Sequence, residues 1–152
     1  MQLIQKRTFW EVYYNPSLNI LEAYWKNTGD DMEDEEFKDY LLNFVPLIPK
    51  YKVDGFITDT REYHYLMSIE LQEWHDKVIA PVYIVHKLKN IVFIMNEDFL
   101  VTSLSIQQTF AEENSNQLRV LYTEGLEEAR SVFMKNRDKE KTKTYRFYEA
   151  IV

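Results

Sequence analysis

Two short runs near the start of the chain, Thr8–Tyr14 (TFWEVYY) and Ile20–Trp25 (ILEAYW), constrain the fold more than any other feature. Both are rich in the β-branched and aromatic residues that fit a pleated, half-buried surface. Between them stands Asn15-Pro16-Ser17-Leu18. Asparagine suits the first position of a type I turn, and proline the second because its φ is already set. The pair predicts an antiparallel hairpin closed by these four residues.

The pattern then changes from strand to helix. Gly29-Asp30-Asp31 is expected to open a helix in which Phe37, Tyr40, Leu41, Phe44, Val45 and Ile48 form one buried stripe. Asp30, Asp31, Glu33, Asp34, Glu35 and Glu36 crowd its first turns, where negative charge complements the helix dipole. Consecutive acids on a helix diverge, and the run lacks EF-hand spacing, so it reads as a solvated end rather than a metal site. Pro46 is expected to kink or end the helix. Lys52-Val53-Asp54-Gly55 reads as a turn and Gly55–Asp59 as a short buried strand. A β-helix-β passage of this kind implies parallel pairing and a right-handed crossover.

Thr60–Met67 reads as a loop, after which Ser68 is placed to cap a helix. Leu71, Trp74, Val78, Val82, Val85 and Leu88 continue a helical stripe through Pro81, although Pro81–His86 taken alone resembles a strand. The longer stripe favours one helix kinked at Pro81. Ile91–Met95 follows as a strand, and Ser103 or Ser105 caps a helix running to about Asn114. Leu118–Tyr122 is the last parallel strand, and Thr123 is expected to cap a helix that turns Leu126, Ala129, Val132 and Phe133 inward. Beyond Lys135 comes a charged stretch, then the aromatic end Tyr145–Val152, which either adds a strand or docks on a partner. The expected architecture is α/β: a β-hairpin followed by β-α units, in a mixed, mostly parallel sheet of about five strands packed with about four helices. Residues 1–135 make a single domain, and 136–152 a charged, then aromatic, tail.

Composition narrows the chemistry. With 152 residues and no cysteine, the chain has room for one substantial core but no disulfide, thiolate nucleophile or cysteine-ligated metal. That usage suits a reducing compartment, and a cytoplasmic location is expected. The first residues, Met1–Arg7, carry no apolar signal region. No window approaches the roughly 20 apolar residues of a membrane span. A formal charge of −7 repels phosphate backbones and anionic headgroups, so nucleic acid is not an expected partner. The late basic run from Lys135 is interrupted by acids and reads as solvated.

Ligands in such sheets gather beyond the carboxyl ends of the parallel strands. That edge is expected to carry Asp59, Thr60, Arg61 and His64, then Asn96, Glu97 and Asp98, then Thr123 and Glu124. His64 near Asp59 suggests an acid–base pair, but no nucleophile accompanies it. Three glycines leave no phosphate-cradling loop. His75 and His86 lack metal-ligand spacing and read as surface or half-buried histidines. Glu73 and Asp76 read as a solvated face. The chain is expected to be no enzyme, with no cofactor and no metal.

The order of elements, with FITDTRE, ELQEWHDKVIAP, NIVFIM and LEEARSVF, resembles the SpoIIAA-like proteins of the STAS superfamily over about residues 8–135. The resemblance implies a mixed sheet with packed helices and a role in protein–protein regulation. It also supports the helical reading of residues 70–88. In classical members a phosphorylated serine begins the helix after the third strand, within an Asp-Ser-Ser-Gly-like stretch. That place falls on Ser68, whose neighbours here are Met67, Ile69 and Glu70, so the aspartate and glycine are missing. Ser68 is read as a helix cap first and a switch second, and Ser68→Asp is expected to leave fold and partner binding largely intact.

A non-catalytic interaction or regulatory module is therefore expected, its surface centred on Ser68, Asp59, Arg61 and His64, its protein partner unidentified. The alternative is a small-ligand or lipid-binding module, with Tyr63, Tyr65 and Trp74, joined by Trp10 and Trp25, lining an apolar pocket. Homodimerisation is open, through the first hairpin strand or the aromatic C-terminus.

Overall fold

The computed structural model describes residues 1–27, 32–63, 67–95, 118–134 and 148–149. Seven strands lie in one sheet in sequence order: β1 (Gln2–Lys6), β2 (Trp10–Asn15), β3 (Ile20–Trp25), β4 (Gly55–Asp59), β5 (Asn90–Ile94), β6 (Arg119–Thr123) and β7 (Tyr148–Glu149). The ladders β3–β4, β4–β5 and β5–β6 are parallel, and the others antiparallel. Only β2 and β7 therefore run against the rest.

The hairpin closes as the turn residues require. Asn15 pairs with Ile20, the Asn15 side chain accepts from the Leu18 backbone N–H at 3.2 Å, and Asn19 takes the left-handed conformation at φ 55°. Its first strand is not an edge, because β1 pairs with it from Gln2 to Lys6. That strand is invisible to periodicity: Gln2–Lys6 is mostly polar, and the pairing slips between Leu3 and Gln5. At the far side β7 joins β6 through Leu121↔Glu149 and Tyr122↔Tyr148, so these two tail residues add a strand.

α1 (Asp34–Phe44) starts later than Gly29-Asp30-Asp31 suggests, since Met32 and Glu33 are not helical and residues 28–31 lie outside the described ones. Asp34, Glu35 and Glu36 occupy its first turn, and Phe37, Tyr40, Leu41 and Phe44 are buried. The chain turns at Val45–Pro46, and α2 (Leu47–Tyr51) follows. Lys52, left-handed at φ 53°, reverses it into β4. Gly55 opens β4 because nothing larger fits: a Cβ there would lie 2.5 Å from the Phe133 ring and 2.6 Å from the Asn90 carbonyl.

Residues Ile69–Val85 are continuously helical, which resolves the helix-or-strand ambiguity around Pro81. α3 (Ile69–Trp74) passes through a π-helical turn, His75–Ile79, into α4 (Ala80–Val85). The irregularity precedes Pro81 rather than sitting on it. A proline supplies no N–H and crowds the carbonyl four residues back, and widening the preceding turn by one residue relieves both. Ala80 N–H accordingly donates to His75 O, five residues back. The last helix, α5 (Leu126–Ser131), is N-capped by Gly125 without a side-chain cap. Thr123 does not cap it. It ends β6, and its hydroxyl donates to the Gly125 carbonyl at 3.2 Å. The helix expected from Ser103 or Ser105 lies outside the described residues.

Strand alternation divides the core between two faces. The front face presents Trp10, Val12, Leu21, Ala23, Trp25, Phe56, Ile91 and Phe93 to the buried sides of α1 to α4. The back face presents Ile20, Ile57, Val92, Ile94 and Leu121 to α5, whose Ala129 is fully buried. Three connections between parallel neighbours progress in one direction, and both described ones pack on the front.

Candidate functional site

Two constellations lie near the carboxyl ends of the parallel strands, on opposite faces. Asp59 ends β4 on the back face. Its carboxylate accepts the Arg61 backbone N–H and Nε at 3.0 Å, and Arg61 Nη2 at 2.6 Å. Asp59 is buried, whereas the Arg61 side chain keeps 44% exposure. The fork holds the Arg61 guanidinium above its ordinary pKa, the hydrogen bonds to Asp59 outweighing burial. Both carboxylate oxygens are engaged by arginine, which leaves Asp59 poorly disposed as an acid–base partner for a histidine. His64 and Tyr65 lie outside the described residues, as do Asn96, Glu97 and Asp98.

Next to Asp59 in register stands Tyr24 of β3. Its hydroxyl donates to Glu22, which is completely buried two residues back along the same face. Glu22 also accepts from Asn15 Nδ2 at 2.8 Å and from Arg130 of α5. Burial alone would raise the Glu22 pKa, but the hydrogen bonds from Arg130, Tyr24 and Asn15 outweigh it and hold the group below its ordinary value. Burial and Glu22 together push the Tyr24 phenol up. The sequence signal for this network was a carboxylate between Leu21 and Ala23 in an apolar strand. Each carboxylate here has its own guanidinium, so the network is charge-compensated.

Ser68 N-caps α3, its hydroxyl accepting from Leu71 N–H at 3.1 Å. The same hydroxyl donates to Asp34 at the start of α1, at 3.2 Å. It thus clips two helices together. Trp74 is half-buried at the edge of the front core, with Lys38 Nζ 5.5 Å from its ring, and lies outside the cavity wall described next.

That cavity, of about 60 Å³, lies between the front face and the helices. Its walls are mainly aromatic, with Trp10, Trp25, Tyr63, Tyr83 and Phe93 among them, joined by Thr58, Thr60 and His75. Trp10 pairs with Trp25 across β2 and β3, their rings 4.8 Å apart. Thr60 is committed, its hydroxyl donating to Ile94 O at 2.7 Å. His75 is buried at 4% exposure, not a surface or half-buried residue as its spacing suggested, and it begins the π-helical turn. Burial lowers its pKa against the opposing pull of Asp76, 3.4 Å away. His86, by contrast, is exposed. Tyr63 is fully buried, and burial, then the Asp34 charge, raises its pKa well above the ordinary value.

Among the described residues, no cluster of three His, Asp or Glu side chains is arranged to hold a metal ion, and no helix is long and apolar enough to cross a membrane. No family model, no curated protein and no solved structure matches this chain.

Proposed function

We propose that this chain is a non-catalytic interaction module of the SpoIIAA-like, STAS type, binding a protein partner through the helical run that follows Asp59. The observation that carries the reading is an apolar stripe on the outer side of that run. Val78, Pro81, Val82 and Val85 recur at i, i+3, i+4 and i+7, with Val78 41% and Val85 71% exposed. A second set of apolar residues, opposite the buried set of Ile79 and Tyr83, has no purpose in the core of this domain. Ile69, 70% exposed beside Ser68, extends apolar surface to the start of the same run. The order of elements supports the family reading, and the absence of cysteine supports a cytoplasmic setting.

Affinity capture from lysate of the source cell, with the wild-type chain and with Val78→Asp/Val85→Asp as baits, tests the proposal. A protein retained by the first bait and lost from the second, with both baits equally folded by circular dichroism, is the expected result. Identical captured sets would remove this surface as the interface.

A further inference from the structure

We propose that the groove at the amino ends of β4 and β5 binds a small phosphate monoester, with Lys52, Lys87 and Lys89 meeting the phosphate. The groove lies at the opposite ends of these strands from Asp59, and it shares no residue with the interaction surface proposed above.

Backbone conformation marks the site first. Among the described residues, the non-glycine positions in the left-handed region are Asn19, Asn27, Lys52 and Lys87. Asparagine visits that region readily, whereas a lysine there is strained. Lys52, at φ 53°, follows α2, and Lys87, at φ 58°, follows α4. In each case the next residue closes the helix end: Val53 N–H donates to Ile48 O at 3.3 Å, and Leu88 N–H to Tyr83 O at 3.0 Å. This closure ordinarily places glycine at the left-handed position. A strained residue kept where glycine would relax points to use of its side chain, and both strained lysines line the same groove. Complementing the negative end of a helix does not require them, since Lys50 already stands in the last turn of α2.

Charge then names the ligand. Lys52, Lys87 and Lys89 line the groove with His86, against one acid, Asp54, in a chain whose formal charge is −7. Asp54 lies 3.8 Å from Lys89 Nζ, and with 52% and 72% of the two side chains exposed it neutralises little. Lys52 and Lys87 form no ion pair among the described residues, whereas Arg61 and Arg130 are committed to carboxylates. Ammonium groups brought from two loops suit the oxygens and the double charge of a phosphate monoester. A lone carboxylate, planar and singly charged, is matched better by an arginine fork.

The frame around these lysines is tied down. Asn19 Nδ2 donates to Lys52 O at 3.1 Å, and Lys89 N–H donates to Asp54 O at 2.7 Å, which joins the two loops. Ile48, Pro49 and Val53 give the groove an apolar wall, and its volume of about 480 Å³ is that of a metabolite site. The ester therefore carries apolar surface beside its phosphate.

Phenyl phosphate is the probe and phenol the uncharged comparison, at constant ionic strength and about pH 7.5, where the monoester is a dianion. The readout is the backbone amide resonances of Val53 and Leu88 in the 15N-labelled chain. Phenyl phosphate is expected to shift both in a saturable way, with an affinity at least about tenfold above that of phenol. Lys52→Asn/Lys87→Asn removes both charges while keeping residues that accept the left-handed backbone. It is expected to unfold at no lower temperature than the wild type and to lose the saturable response. Lys89→Gln, outside the strained positions, is expected to weaken binding about threefold, the weight of one exposed charge contact. Lys26→Asn/Lys38→Asn makes the same change in net charge away from the groove and is expected to bind as the wild type does. Equal affinity for phenol, a response linear in phenyl phosphate, undiminished binding in folded Lys52→Asn/Lys87→Asn, or equal loss in Lys26→Asn/Lys38→Asn would overturn the proposal. So would tighter binding of a hexaglutamate peptide at the same amides, which would make the groove a docking site for acidic protein segments. A fall in unfolding temperature in Lys52→Asn/Lys87→Asn, with no phosphate response in the wild type, would reduce the lysines to supports of the helix ends and overturn it too.

Discussion

Arg130 reaches from α5 to Glu22 in the middle of β3 and donates to both carboxylate oxygens, Nε at 2.9 Å and Nη2 at 2.8 Å. The two residues stand 108 positions apart in the chain. Glu22 has no exposed surface, whereas the Arg130 side chain keeps 30%. The pair pins α5, which alone among the described helices covers the back face, to a strand on the far side of β4.

Removing the arginine therefore strands a buried carboxylate. Arg130→Ala is expected to cost about 3 kcal/mol, the lower end for a broken buried pair because water reaches the guanidinium. Glu22→Gln removes the charge and turns one acceptor oxygen into an NH2 group facing two donors, so it is expected to destabilise as well. Urea denaturation at neutral pH measures both; equal midpoints for Arg130→Ala and wild type would show that the pair carries no stability.

His75 sets a pH dependence above the carboxylate range. Its folded pKa lies below the ordinary value of 6.5, so the unfolded chain takes up a proton first as pH falls. Stability from this group is complete above pH 6.5 and declines below it, until the folded form titrates too. The slope is at most about 1.4 kcal/mol per pH unit. His75→Gln is expected to flatten the denaturation midpoint between pH 7 and pH 5. Glu22, also lowered, acts in a separate window below its ordinary 4.5. A midpoint that falls equally in His75→Gln would assign the dependence elsewhere.

Gly55→Ala tests how closely the turn after α5 approaches the sheet. The added methyl meets a ring that can shift and a backbone carbonyl that cannot. A loss of about 1–3 kcal/mol is expected, in the range of an overpacked core. Adding Phe133→Leu should recover only part of it, since the Asn90 oxygen remains in the way. Full recovery in the double variant would show that the ring was the only obstacle.

Ser68 gives a sharper comparison than a simple cap. Ser68→Ala loses the acceptor for Leu71 N–H and is expected to cost about 1 kcal/mol. Ser68→Asp keeps an acceptor but sets a carboxylate against Asp34, so it should be less stable than cap preference alone predicts, while remaining folded. Asp34→Asn should relieve the difference. Thermal unfolding of the four chains forms the cycle, and a coupling of zero between the two positions would exclude the contact.

How much of this was legible depends on how local each signal is. The hairpin, its Asn15-Pro16 turn, the α1 stripe of Phe37, Tyr40, Leu41 and Phe44, and the β4 and β5 strands all declare themselves within a few residues. Turn geometry and the periods of 2 and 3.6 are properties of neighbouring residues, and they survived folding intact. Ser68 was found as a cap for the same reason. Thr123 carries the local signature of a cap that Gly125 in fact occupies, because a threonine before a helix satisfies the local rule equally well from two positions outside it. β1 escaped because a polar edge strand owes its structure to its neighbour and not to its own pattern. In the candidate site, Asp59 and Arg61 are close in sequence and were seen together, but nothing local says that they face away from Tyr63.

By itself, then, the amino-acid order determined which segments become strands and helices, where they turn, and which apolar residues must find a core. Only the tertiary structure decided which residues meet across that core. Glu22 required a cation, and 18 lysines and arginines were available to supply it. The sheet order, with α5 laid on the back face, selected Arg130 as that cation. The cavity is likewise a product of assembly: Trp10, Thr58 and His75 come from separate elements, and the space between them exists only once the front helices lie on the sheet.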